Sequence, residues 1–537
     1  MKLSHLSLSL MFLGAAACAT TQGPSRAETA PDTAPVEAPP VEAAPDPSIP
    51  LAVVAEPLKT TAPIESVVLP NPKTPLVTFR LVFRTGSVDD PAGKEGLTQL
   101  TVAMMREGGT SSLSSAELLE SLFPMAAELS ASVDKELTVF HGRVHKDHLE
   151  AFLPVFTEVL TAPRFDPREF ERLKARALNG VRHSLRNEDD ERLGKSALDS
   201  VLYAGHPAGH DVAGTEDGLE AITLADVQAH WKTAFTQDRL IVGLAGDVGP
   251  ALADELRGRL RALAETGAAR KPLPPTPAIA GRTLILERPT LSTAVSMGYT
   301  WPVRRGHPDF YALAFAHSYL GEHRQSIGVL FNELREKRGL NYGDYAYVES
   351  FVQDGWSSLP ASNVVRTQQL TTLWLRPVEH DHARFATRGA LHFYGKLLEA
   401  PIPDEAFDVA RGFVQGISRL WEQTDAQRLG WAIDGLLYGT PDHLANYRKA
   451  LDALTPAEVH AAVRRHLSPS RMNFAFVTDD GARLAAELKG QTPSPITYPT
   501  PKAPEVLAED QQFIDAPLPI QGDIEVRPAE TFMKSAQ

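Results

Sequence analysis

The sequence of 537 residues contains a single cysteine, Cys18, which excludes an internal disulfide. It also lacks an excess of basic residues, because 53 Lys and Arg stand against 67 Asp and Glu, and the formal net charge is -14. Such a charge argues against a nucleic-acid partner and is typical of a well-hydrated surface. The remaining composition, 43% hydrophobic and 22% charged, is that of ordinary globular domains, and the length allows roughly two to four of them.

The first hydrophobic run is too short to span a bilayer and remain there. Leu6–Ala17 follows Lys2 and leads directly to Cys18, in "MKLSHLSLSLMFLGAAACATTQG". This stretch resembles a bacterial lipoprotein signal, although Ala15 stands where such signals usually have leucine. The resemblance implies a lipid anchor on Cys18 and a periplasm-facing location in the cell envelope, and Ala19 after the cysteine implies the outer membrane. The alternative is an ordinary secretory signal with an incidental cysteine.

Composition also divides the rest of the chain. Residues 19–50 are rich in Pro, Ala and Glu and have no aromatic residue, so they cannot bury a core and are expected to form an extended tether. Proline-rich stretches recur at 267–282 and from residue 491 onward. The predicted segments are a signal (1–18), a tether (19–50), an N-terminal half (51–266), a linker (267–282), a C-terminal half (283–490) and an irregular Pro-rich tail (491–537).

The two halves show the same order of patterns. The strand-like "LVTFRLVFRTGSVDD" has its counterpart in "LSTAVSMGYTWP", and each half closes with a capped helix followed by an apolar strand. Thr223 with Asp226 and Thr455 with Glu458 form the two predicted helix caps, 232 positions apart, and Pro456 suits the first turn of the second helix. The pattern predicts a duplicated α+β fold, in which each half has an antiparallel sheet with helices packed on one face.

One segment, "GLTQLTVAMMREGGT" at residues 96–110, predicts a helix with one buried face, because Leu97, Leu100, Met104 and Met105 recur at helical spacing. Together with its lead-in, "TGSVDDPAGKEG", this segment resembles the zinc-site region of the pitrilysin/insulinase peptidase family, which includes the mitochondrial processing peptidases. "LFNELREKRGLNYGDYAY" resembles the other half of these proteins. The resemblance covers roughly residues 55–490 and implies two halves that close as a clam-shell around a chamber.

In the family, two histidines and a glutamate of an inverted H-x-x-E-H helix, with a glutamate from a later helix, supply the zinc ligands and the general base. The matching positions here are Gln99, Val102, Ala103 and, on or near it, Gly180. None of these residues is suited to binding zinc or to acting as the general base, so the resemblance predicts no catalytic residue and no zinc in this chain. Histidine groups elsewhere, such as His141 with His145 and His148, are expected to be surface or capping residues.

Two substrate-binding features of the family have counterparts here. Arg335 and Tyr342 have the spacing of a pair that holds the substrate backbone, with the alternative that Arg335 pairs with a helix carboxylate and Tyr342 lies in the core. Leu129, Ser130, Ala131 and Ser132 match the strand edge to which relatives add a peptide as a further strand, and a plain edge strand is the alternative.

The resemblance implies a non-catalytic subunit that binds a peptide or unfolded protein and pairs with an intact-motif peptidase, which supplies the zinc. A binding or scaffold protein of the envelope without a proteolytic partner is the second hypothesis. An active peptidase with an unrecognised site is the third.

Overall fold

A computed structural model describes residues 64–270, 272–322, 325–352, 357 and 359–535. The predicted signal with Cys18 and the predicted tether lie outside the described residues. Within them, no helix combines the length and the apolar character needed to cross a bilayer.

The strands of the described chain fall into two sheets. They are β1 (Glu65–Pro70), β2 (Leu76–Phe83), β3 (Glu128–Val133), β4 (Thr138–His145), β5 (Leu240–Gly246), β6 (Thr283–Glu287), β7 (Thr293–Trp301), β8 (Asn341–Tyr347), β9 (Gln369–Val378), β10 (Asn473–Thr478) and β11 (Ile524–Pro528).

The helices occur in both halves and in the tail. They are α1 (Leu97–Glu107), α2 (Ser115–Leu122), α3 (Leu149–Thr161), α4 (Pro167–Asn179), α5 (Asp190–Leu202), α6 (Glu216–Ala221), α7 (Leu224–Ala234), α8 (Pro250–Leu260), α9 (Phe310–Gly321), α10 (Ala383–Glu399), α11 (Asp404–Leu420), α12 (Asp425–Tyr438), α13 (His443–Ala453), α14 (Pro456–His466), α15 (Gly481–Lys489) and α16 (Pro504–Phe513). Two π-helical segments, Gly180–Glu188 and Phe331–Glu336, add to these.

The two sheets have the same strand order, which confirms the predicted duplication. The first sheet runs β1-β5-β2-β4-β3, and the second runs β6-β10-β7-β9-β8 with β11 added beside β6. The inner pairs are antiparallel as predicted, for example β2 with β4 and β7 with β9. The outer strands depart from that prediction, because β1 runs parallel to β5 and β6 runs parallel to both β10 and β11.

Helices cover both faces of each sheet, one more face than the pattern predicts. On the added face, α5 of the N-terminal half packs on β7 and β10 of the second sheet, and α12 of the C-terminal half packs on β1, β2 and β5 of the first sheet. Leu429 and Ile433 of α12 are fully buried against Val67 and Ile241. In this helix exchange, each half covers one face of the other half's sheet with a helix. It explains why β2 is buried on both faces after its first residue.

The local signals that set the helix ends are confirmed. Thr223 accepts a hydrogen bond from the Asp226 amide and Thr455 accepts one from the Glu458 amide, each in a reciprocal capping box. Pro456 occupies the first turn of α14, where its missing N–H costs no helical bond.

The tail after residue 490 is not irregular throughout, contrary to the prediction. It forms α16, whose Phe513 packs on Phe385, and then β11, which joins the second sheet. Farther along, Phe532 and Met533 are buried in the apolar cluster that joins the two halves and includes Val181 and Val477. These apolar residues lie among prolines and charges, and the composition alone did not reveal that they bury a surface.

Candidate functional site

Helix α1 is held in place by its first turn. Gly96 has φ 104°, a left-handed conformation that favours glycine, and its amide donates to Asp90 Oδ2 at 2.8 Å. Asp90 Oδ1 accepts from the amide and the hydroxyl of Thr98, at 2.8 and 2.6 Å. Burial raises the pKa of the Asp90 carboxyl to about 7, against these hydrogen bonds, which favour its ionised form. The predicted buried face of the helix, Leu97, Leu100, Met104 and Met105, is confirmed.

The four positions that match the zinc site lie on two neighbouring helical segments. Gln99 is half-buried, Val102 is 3% exposed within the core, and Ala103 is half-buried. Gly180 follows α4, which packs on α1 and is tied to it by Arg176, whose Nη1 donates to Glu107 Oε2 at 2.6 Å. A Cβ at Gly180 would meet no atom within 4 Å. One amide, two aliphatic side chains and a glycine do not fit zinc, which prefers imidazole, thiolate and carboxylate ligands.

In the part of the chain that the structure describes, one trio of side chains has the spacing of metal ligands: His307, Asp309 and His466. It belongs to the C-terminal half, away from α1 in the chain. The Asp309 carboxylate is already bound by His466 Nε2 at 2.7 Å and by Arg465 Nη2 at 2.6 Å. These contacts lower the pKa of Asp309 to about 2, with Arg465 as the main cause. Asp309 is therefore occupied by an ion pair with Arg465 and a hydrogen bond with His466, which join the start of α9 to the end of α14.

Gln99 lines a cavity of about 780 Å³ between the two halves. The N-terminal half contributes the end of β3 and one side of α5, and the C-terminal half contributes β9 and the segment before it. Its charged lining residues are five acids and five bases: Asp134, Asp189, Glu191, Asp199, Asp211, Lys135, Arg192, Lys195, Arg366 and Arg376. A cavity of this size and polarity can hold a stretch of extended peptide.

Most charges of the cavity wall are paired, in part across the two halves. Arg366 Nη2 donates to Asp134 Oδ1 at 2.8 Å, and Glu191 is bound by both Arg376 and Lys195. Lys195 Nζ also lies 3.7 Å above the centre of the Trp374 ring. Burial lowers the pKa of Lys195 to about 7, partly offset by Asp189.

The predicted strand edge is confirmed as an edge. β3 pairs with β4 on one side and is the last strand of its sheet. Its side chains are alternately half-buried and exposed, with Leu129 and Ala131 packed on the core and Ser130 and Ser132 on the opposite face. Residues 130–133 also line a second cavity of about 580 Å³, over the outer face of β2 and β4. The free backbone edge is thus next to open space on the inside of the molecule.

Arg335 and Tyr342 are brought together, because the Arg335 guanidinium carbon lies 4.6 Å from the centre of the Tyr342 ring. Tyr342 is 65% exposed, so the alternative that placed it in the core is wrong. Arg335 Nε lies 3.6 Å from Glu336 Oε1. Among the described residues that line the two cavities beside β3, neither Arg335 nor Tyr342 occurs. Their role in substrate binding stays a prediction.

Sequence reasoning missed α5 as part of the site. Its cavity-facing residues Glu191, Lys195 and Asp199 recur every four positions in "DERLGKSALDS", which marks one charged helix face between apolar ones. This spacing is visible in the sequence, but a charged helix face is usually solvent-exposed. The packing of α5 on the C-terminal half is what places this face at the cavity.

Two family models match the chain in succession. The model described as insulinase, peptidase family M16, matches residues 66–216. The model described as peptidase M16 inactive domain matches residues 221–363. Together they span more than half of the 537 residues.

Individual proteins of known sequence or structure show the same similarity. An uncharacterized zinc protease of Mycobacterium bovis is 24% identical over 413 residues, which cover 74% of this chain and 87% of the relative. A protein of Helicobacter pylori described as a non-peptidase homolog is 25% identical over 179 residues, 33% of this chain and 40% of the relative. The crystal structure of a peptidase M16 inactive domain from Pseudomonas fluorescens has a TM-score of 0.69 at 21% identity, over 83% of this chain and 99% of that one, and establishes the likeness in fold.

Proposed function

The chain belongs to the insulinase family of peptidases, M16, and on that premise we propose that it is a non-catalytic, peptide-binding subunit of a two-chain zinc peptidase. The observation that carries the proposal is the packing of Val102. The position of the general base is filled by an aliphatic side chain in the core, and the three ligand positions around it offer a single amide. The similarity to a non-peptidase homolog supports the same conclusion.

Peptide binding needs none of the missing groups. The backbone of β3 can accept an extended peptide as a further strand, and the adjoining cavities of about 780 and 580 Å³ leave room for its side chains. Because most charges of the larger cavity are paired with each other, the wall selects peptides weakly by their net charge. The substrate class that fits is an extended peptide or an unfolded segment of a protein.

The chemistry would come from an intact-motif peptidase of the same family. Such a partner would supply the zinc ion, its ligands and the general base, while this chain would supply the strand edge and the cavity wall. The family resemblance supports this pairing, since relatives combine an intact H-x-x-E-H chain with one that lacks it.

The decisive experiment uses the chain without residues 1–18. We expect no stoichiometric zinc by mass spectrometry and no cleavage of a quenched peptide library by this chain alone. Mixed with an intact-motif relative from the same cell, it should raise cleavage above that of the relative alone. Bound zinc with cleavage would overturn the proposal. Peptide binding without any gain in cleavage would leave the scaffold hypothesis in its place.

We also propose that the protein is anchored in the bacterial outer membrane, facing the periplasm, through lipid on Cys18. The short apolar run before the lone cysteine supports this location. Fractionation of cells expressing the full chain and its Cys18→Ser variant tests it. The unaltered chain should be found with the membranes and the variant should not be processed, whereas equal fractionation and processing of both would contradict lipidation.

A further inference from the structure

A small aromatic cavity lies inside the C-terminal half, and the proposed peptide-binding function does not use it. It has a volume of about 60 Å³. Its wall contains two histidines, His317 and His443, and six Phe, Tyr and Trp rings: Phe310, Tyr347, Phe351, Trp421, Trp431 and Tyr447. Several of these rings pack against each other, with Trp421 and Trp431 stacked at 6.0 Å and Trp421 and Tyr447 at 6.0 Å. Their shared faces form a rigid, electron-rich wall.

Two carboxylates complete the wall of this aromatic cavity. Glu322 Oε2 accepts from Ser318 Oγ at 2.5 Å and from Gln325 Nε2 at 2.9 Å. No Lys or Arg in the described part of the chain forms an ion pair with Glu322, and burial raises its pKa. Glu349 uses only Oε1 to bind Arg305, and its buried Oε2 has no hydrogen-bond partner among the described residues. Burial and the neighbouring Glu349 thus favour the neutral form of Glu322, and a cation bound in the cavity would favour its ionised form.

The same region already stabilises one guanidinium group. The Arg305 guanidinium carbon lies 4.6 Å from the centre of the Trp431 ring, and its nitrogens donate to Glu349 at 2.7 Å and to Asp434 at 2.9 Å. Aromatic faces combined with carboxylates are the arrangement by which proteins hold organic cations. Arg305 binds both Glu349 and Asp434, and Arg80 adds a second positive charge that acts on Asp434. Among the described residues, Glu322 is the carboxylate of the cavity wall left without a basic partner, so it can face a second cation.

The volume limits the size of that cation. A buried water needs about 10–15 Å³ of such space, so the cavity accepts about four to six non-hydrogen atoms. Trp421 is 6% exposed, and its Nε1 has no acceptor in the described part of the chain, so a neighbouring oxygen on the ligand could be bound as well.

We propose that this aromatic cavity is a binding site for a small organic cation, an alkylammonium or guanidinium group. The group can belong to a free small molecule or to a lysine or arginine side chain of a bound peptide, because the chemistry of recognition is the same. The site is distinct from the positions that match the zinc site, and it functions whether or not the chain has a peptidase partner.

The test is a titration of the full chain with tetramethylammonium chloride, followed by tryptophan fluorescence and calorimetry. tert-Butanol has the same number of non-hydrogen atoms without the charge and serves as the matched ligand. We expect saturable binding of tetramethylammonium and binding of tert-butanol at least about tenfold weaker. Absence of saturable binding, or equal binding of the two probes, would overturn the proposal.

Variants locate the binding in the cavity. Glu322→Gln retains an oxygen that can accept from Ser318 and Gln325, so it should fold, and it should weaken tetramethylammonium binding about tenfold. Glu120→Gln, an exposed carboxylate of α2, is the matched control and should bind as the unaltered chain does. Equal affinity of the two variants would place the bound cation elsewhere and contradict the proposal.

A further comparison distinguishes the sources of the cation. Acetyl-Gly-Lys-Gly-amide is compared with its norleucine analogue, and tighter binding of the lysine peptide than of tetramethylammonium would identify a peptide side chain as the ligand.

Discussion

The side chain of Val102 lies in the apolar core, at the position that matches the general base of the family. It is 3% exposed and belongs to the apolar cluster that includes Phe83 and Phe140. We predict that Val102→Glu lowers the free energy of unfolding by about 3 kcal/mol or more, because the carboxylate would be buried without a partner. Gln99→Glu, which faces the large cavity, should change it by less than about 1 kcal/mol. Urea unfolding of both variants checks this, and equal losses would contradict the assignment of Val102 to the core.

Two glycines of the site region should respond to alanine in opposite directions. Gly180 has a right-handed helical conformation and free space around a Cβ, so Gly180→Ala should stabilise the fold by about 0.5–1 kcal/mol. Gly96 has φ 104°, and a Cβ there would lie 2.7 Å from Leu219 Cδ2. We expect Gly96→Ala to destabilise by about 1–3 kcal/mol. Thermal unfolding of both variants measures the difference, and a loss on Gly180→Ala would show that the site region needs the flexibility of glycine.

Buried histidines make the fold sensitive to acid. Burial lowers the pKa of His230 to about 4, so the folded state remains unprotonated at pH 5 while the unfolded chain, with an ordinary histidine pKa, binds a proton. Stability therefore falls as pH falls, and His230 accounts for about 2 kcal/mol between pH 7 and pH 5. His230→Gln should remove that share of the pH dependence, whereas His148→Gln at an exposed position should not. Urea unfolding at both pH values tests this, and an unchanged slope in His230→Gln would refute it.

At the scale of elements, β3 allows a direct test of strand addition. The amides of neighbouring strand residues point to opposite sides, so a proline at Ser130 or at Ala131 removes either an outward amide or one that pairs with β4. The variant that removes an outward amide should lose binding of peptides from the quenched library and keep its melting temperature. The variant that removes an amide paired with β4 should melt at a lower temperature.

Hydrogen exchange gives an independent check of the same strand. Amides at residues 129–132 should exchange more slowly when peptide is bound, while those of β4, which already pair on both sides, should not change. Protection of other segments without β3 would contradict binding at this edge.

The elements that local patterns define were predictable, and those that depend on distant partners were not. The caps at Thr223 and Thr455 and the buried face of α1 follow from neighbouring residues, and so were read correctly. The placement of α5 and α12 on the opposite sheets depends on contacts far apart in the sequence. β11 was missed for a related reason, because a short strand among prolines becomes recognisable only beside β6. For the site, the sequence predicted a strand edge at β3 and a lost ligand position at Gln99, but neither the cavity that Gln99 lines nor the wall that α5 forms.

For the whole molecule, the exchange of α5 and α12 predicts that the two halves unfold together. Each sheet loses one covered face when the other half unfolds, so neither half is complete alone. We expect one calorimetric transition whose calorimetric and van't Hoff enthalpies agree. Leu198→Ala in α5, at a buried position, should lower the free energy of unfolding by about 3 kcal/mol and so move the whole transition to lower temperature. Val409→Ala, at a position 63% exposed, should leave the transition in place. Two separate transitions would contradict the expectation.

The helix exchange also has a consequence for biosynthesis. Helix α5 ends at Leu202, and β10, on which it packs, begins at Asn473. At the usual pace of translation, several residues per second, the intervening chain takes on the order of half a minute to be made. During that time α5 can contact β6 and β7 but not β10, and the face of the first sheet that α12 covers stays exposed until α12, which begins at Asp425, has been made. The nascent protein therefore exposes apolar surfaces, and we expect its folding to depend on chaperones until the last third of the chain has been synthesised.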